Sequence, residues 1–95
     1  MSKKESYIQK IEAQVELAEA KLLELKAKAK SSAAEARIKY NEQIDEIEQA
    51  VDATKAKLME LGEASEDAWE HLKDGVEKAW NELSDAVRTA IPPFP

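Results

Sequence analysis

From Ser2 to Ile91 this chain holds almost nothing that would stop an α-helix. All three prolines, Pro92, Pro93 and Pro95, fall at the extreme end, and only two glycines, Gly62 and Gly75, interrupt the rest. Proline ends helices by removing a donor and clashing with the preceding turn, and glycine loosens them through its backbone freedom. A chain so nearly free of both is expected to be all-α.

The apolar spacing sharpens that expectation. Ile8, Ile11, Val15, Ala18, Leu22, Leu25 and Ala29 follow alternating steps of three and four, a heptad seam. A second seam runs Ile44, Ile47, Val51, Thr54, Leu58 and Leu61. The two are out of phase, and Ala33, Ala36 and Tyr40 bridge them with the slipped spacing of a stutter. The stretch from Ala27 to Ala36 is rich in alanine and has no Gly, Pro, Asn or Asp to make a tight turn. The pattern therefore predicts one long heptad helix, residues 1–61 with the helix itself over 3–61, on the order of 85 Å long. The alternative is a three-helix bundle with a turn near Ser31-Ser32. Its signals are Ser32 and Glu35, spaced as a capping box, and Lys26, Lys28 and Lys30, suited to the negative end of a helix dipole.

A clearer boundary follows. Gly62 suits the left-handed position just past a helix end, and Ser65 suits the cap of a new helix with Glu66 and Asp67 in its first turn. This assigns 62–64 to a turn, 65–91 to a second amphipathic helix and 92–95 to a proline-rich tail, an all-α helical hairpin. The tail reads as a stop with a frayed end, or as a short proline-rich ligand.

Within 65–91 the period changes. Ala68, Trp69, Leu72, Asp74 and Val76 recur eleven positions later as Ala79, Trp80, Leu83, Asp85 and Val87. Eleven residues in three turns is ~3.67 per turn, so equivalent side chains stack along one line of a nearly straight helix. Trp69, Leu72, Val76, Trp80, Leu83 and Val87 form one apolar ribbon, with Gly75 and Ala86 as small residues at its edge. Such a ribbon either packs on the protein's own first helix or serves as an interaction face for a partner helix or a lipid surface. The polar side of this helix is mainly acidic, the opposite of what anionic lipid attracts.

The segment from Lys57 to Ser65, followed by Ala68-Trp69 and Ala79-Trp80, resembles a group of short bacterial coiled-coil proteins, some of which carry a stress-response label. The resemblance covers about the last 40 residues, mainly 57–91, and transfers no site residue. The repeat is also similar to apolipoprotein-type eleven-residue units, but it lacks their punctuating prolines between copies.

Composition bounds the chemistry. A net charge of −6 leaves no concentrated basic surface for nucleic acid and disfavours a membrane surface. There is no cysteine, and the single histidine, His71, has Ala68 rather than Glu three residues before it, so a carboxylate–histidine metal pair is missing. No phosphate loop or nucleophile–base set is spelled out, so no catalytic residue, metal or cofactor is expected. Met1-Ser-Lys-Lys is not followed by an apolar run of signal-peptide type, which makes a cytoplasmic location the default expectation.

Charge is nevertheless arranged in blocks. Residues 21–39 hold six basic and two acidic side chains, a net +4, whereas 41–54 hold five acidic and none basic. An antiparallel pair of long helices would set one block against the other. The expected function is thus that of a non-enzymatic structural or interaction protein, acting as a homo-oligomer or on a partner helix. A peripheral lipid-binding protein is the competing class.

Overall fold

Ser2 starts the first helix as its sequence predicts, its hydroxyl accepting the Glu5 amide at 3.2 Å. The computed structural model describes residues 2–94; Met1 and Pro95, the outer limits of the long arm and of the tail, lie outside them. The described residues form three helices and no strand: α1 (Lys3–Lys30), α2 (Ala34–Glu63) and α3 (Trp69–Ala90). They pack up, down and up into a bundle of 52 × 19 × 17 Å, with α3 seated chiefly on α2 and less on α1.

The long helix over 3–61 does not form. The chain reverses at Ser31, Ser32 and Ala33, as in the three-helix alternative. No residue there has a positive φ, so glycine is not required. Side chains do the work that glycine usually does. Both serine hydroxyls donate to the Lys28 carbonyl, Ser31 at 3.2 Å and Ser32 at 2.6 Å. The Arg37 guanidinium reaches back from α2 to the carbonyls of Ala29 and Ser32, at 3.3 and 3.1 Å. The Ser31 amide takes the Ala27 carbonyl and the Ser32 amide that of Ala29. The final-turn carbonyls of Ala27, Lys28 and Ala29 are thereby satisfied. The Ser32–Glu35 capping box is not made. Ala33 occupies the N-cap of α2 without a side-chain bond, because the Ser32 hydroxyl is already engaged by α1.

Reversal lets the two out-of-phase seams meet. Ile11, Val15, Ala18, Leu22, Leu25 and Ala29 from α1 face Ile44, Ile47, Val51, Thr54, Leu58 and Leu61 from α2, all buried. Burying a Leu, Ile or Val side chain stabilises by about 1.5–3 kcal/mol, whereas a continuous helix would leave both seams in water. The charge blocks also meet within one chain. Lys26 of the basic block pairs with Glu48 of the acidic one at 3.8 Å, and just outside both blocks Lys55 pairs with Glu19 at 2.9 Å. These exposed pairs add little stability, but they favour the antiparallel register.

The second boundary is also shifted. Helix α2 continues through Gly62 to Glu63, Gly62 keeps a negative φ, and the connection occupies 64–68 rather than 62–64. A left-handed cap is unnecessary because Lys4, from the start of α1, donates to the carbonyls of Gly62 and Ala64 at 3.3 and 2.9 Å. Ser65 caps as expected, accepting the Ala68 amide at 3.2 Å, but a single turn separates it from α3 proper.

The tail is not frayed. After Ile91 the chain folds back, the Arg88 guanidinium donates to the Phe94 carbonyl at 3.2 Å, and the Phe94 ring is buried 6.1 Å from that of Trp80. Its phenyl group belongs to the core and is withdrawn from any role as a free ligand.

The reversal can be measured directly. Spin labels at Lys26 and Glu48 should lie within about 20 Å in one chain, where an unbroken helix would hold their backbones about 33 Å apart.

Candidate interaction surface

The eleven-residue ribbon of α3 faces inward. Trp69, Val76, Leu83 and Val87 are buried, and Leu72 and Trp80 are half-buried against the same core. The structure brings all six together as the layer that closes the hairpin. The ribbon sits inward because its neighbours complete it. Tyr7 of α1 stacks at 6.0 Å on Trp69, Phe94 covers Trp80, and the Lys73 ammonium lies 5.0 Å from the Tyr7 ring and 5.5 Å from the Trp69 ring. Gly75, at the ribbon's edge, admits no close backbone approach. A Cβ placed there would meet only the Lys57 stem at 3.8 Å.

The ionisation of Tyr7 departs from its ordinary value. Its hydroxyl donates to Glu77 at 3.4 Å. Burial, followed by the charge and hydrogen bond of Glu77 and the charge of Asp74, pushes its pKa up to about 12. His71 is exposed, and among the described residues no group of three His, Cys, Asp or Glu side chains is gathered to hold a metal. None of the described helices is long and apolar enough to cross a membrane.

What remains apolar and exposed lies on the hairpin. Leu23 is 67% exposed and Met59 68%, and both border a furrow along the α1–α2 seam. The furrow consists of three adjoining hollows of 610, 310 and 460 Å³ that share Leu23 and Lys26 at one junction and Glu19 and Lys55 at the other. Its floor is the outer edge of the core: Val15, Leu22 and Ala29 from α1, with Ile44, Val51 and Leu58 from α2. The Lys55–Glu19 and Lys26–Glu48 pairs span it. Towards the Ser31–Ala33 turn its charged walls are Lys26, Lys30 and Arg37, in the middle Glu48 and Asp52 of α2 join Lys26 and Lys55, and towards the other end they are Glu12, Glu16 and Glu19 against Lys55. The furrow is thus polarised along its length. Leu17 and Ile38, the other large exposed apolar side chains, line none of these hollows.

Leu23 and Met59 lie off both heptad seams, each merely following a seam residue, Leu22 and Leu58. The signal was that doublet: one position past a seam residue lies about 100° round the helix, at the edge of the buried stripe. Comparison with protein-family models, with curated proteins and with solved structures gave no match.

Two outcomes follow from these contacts. Replacing Phe94 with Ala should destabilise the bundle by about 3–5 kcal/mol and shift tryptophan emission to the red as Trp80 is uncovered. The Tyr7 proton is held more tightly in the folded chain than in the unfolded one. Its contribution is therefore complete below about pH 10 and lost as pH rises towards 12. Thermal melts across that window should fall more steeply for the native chain than for Tyr7→Phe.

Proposed function

We propose that this chain is a non-enzymatic helical interaction protein that docks a helical partner along the α1–α2 furrow. The observation that carries the reading is the exposure of Leu23 and Met59, about two thirds each, beside a polarised furrow with an apolar floor. A small domain gains nothing for its own core from such side chains, and apolar groups flanked by charge are what partner surfaces use. The ribbon of α3 then has a supporting role, holding the hairpin in shape so that both walls of the furrow keep their spacing. A peripheral lipid-binding role would have needed that ribbon on the surface, and its packing against Tyr7 and Phe94 lends that class no support.

The test is a photoreactive side chain placed at position 23, at 59, or at the exposed Glu70 on α3 as a reference, with irradiation in the native cell. We expect discrete protein adducts from 23 and 59 and few from 70. Equal labelling at all three positions, or lipid adducts alone, would reject the docking role.

A further inference from the structure

We infer that the occupant of the furrow is a second copy of this chain, packed face to face and antiparallel about a two-fold axis through the Glu19–Lys55 bridge. The inference rests on the docking role proposed above and gives it a partner.

Three observations lead to it. The first is charge. One end of the furrow is walled by Lys26, Lys30 and Arg37, and the other carries Glu12 and Glu16 beyond the central Glu19–Lys55 pair. A surface positive at one end and negative at the other is complementary to itself when turned end for end, the condition an isologous interface must meet.

The second is register. Leu23 lies four residues beyond Glu19 towards the turn, and Met59 lies four residues beyond Lys55 in the opposite direction. Each is about 6 Å from the bridge along the furrow. A two-fold axis at the bridge, perpendicular to the helices, therefore carries Met59 of the second copy to the level of Leu23 of the first. Lys26 and Glu12, seven residues to either side of Glu19, are set opposite one another by the same operation. The apolar and charged positions agree on one axis.

The third is area. The two-helix face is about 40 Å long and about 20 Å across, so roughly 800 Å² per copy is offered, the amount a specific interface usually buries on each side.

Charge exchange tests the arrangement in the full-length chain. Lys26→Glu with Lys30→Glu in one variant, and Glu12→Lys with Glu16→Lys in another, leave the buried core untouched, Lys26 being half-buried beside Glu48 and the other three exposed. The native protein should sediment at twice 10.6 kDa, and each variant, still helical by circular dichroism, should lose self-association by at least about tenfold. Mixed together, the two variants should pair again, because both halves of the interface then carry opposite charges. Orientation is read by cysteine pairing, since the chain has no cysteine of its own. Lys26→Cys chains mixed with Glu12→Cys chains should cross-link between copies, whereas either alone, with its thiols about 21 Å apart along the helices, should not.

A folded monomer at all concentrations would overturn the self-pairing. If positions 23 and 59 still gave discrete adducts with other proteins in the cell, the docking role would stand with a foreign partner. Failure of the mixed variants to pair, or efficient cross-linking by Lys26→Cys alone, would overturn the antiparallel geometry.

Discussion

An α-helix ends in carbonyls that none of its own amides can reach, and this fold depends on how α1 disposes of its last ones. Ser31 and Ser32 give their hydroxyls to Lys28, and Arg37 returns from the next helix to Ala29 and Ser32. The partners come from both sides of the turn, so closing the end of α1 also fixes where α2 begins. Once the chain has reversed there, the seams meet, the charge blocks face each other and a groove exists for α3 to fill.

The same economy recurs at the opposite end of the bundle. Lys4 satisfies the end of α2, Tyr7 covers Trp69, and Phe94 turns under to cover Trp80. Each half-finished edge of the α3 ribbon is completed by a residue from a chain terminus. A domain of 95 residues has little core to spare, so these aromatic lids matter in proportion. With the ribbon enclosed, the apolar surface left to the solvent is concentrated on the hairpin, where charge gives it direction.

Periodicity made the helical class, both seams and the apolar ribbon readable, though not which way the ribbon faces, because buried positions must recur at the helical repeat whatever the topology. The reversal at Ser31 was harder to read. Its stabilising bonds join Lys28 to Ser32 and Ala29 to Arg37, and a run rich in alanine offers no local preference for stopping. Gly62 misled for a related reason, since Lys4, 58 residues away, supplies the cap that glycine would otherwise favour. Phe94 read as the end of a loose tail because the Arg88 bond that draws it in depends on a fold-back that local proline preferences do not specify. Leu23 and Met59 needed the hairpin register before they could be seen to share one furrow.

The Lys4 and Tyr7 contacts differ from the rest in span. They join residues 58 to 70 positions apart, whereas the α1–α2 and α2–α3 pairings link neighbours in the chain. Closing a long loop costs more entropy than zipping adjacent helices, so such contacts belong to the late part of folding. Groups that form after the barrier slow unfolding and leave the folding rate unchanged. The clasp of the first turns of α1 on the end of α2 and the first half of α3 therefore acts on how long the bundle stays closed, and hardly at all on how quickly it closes.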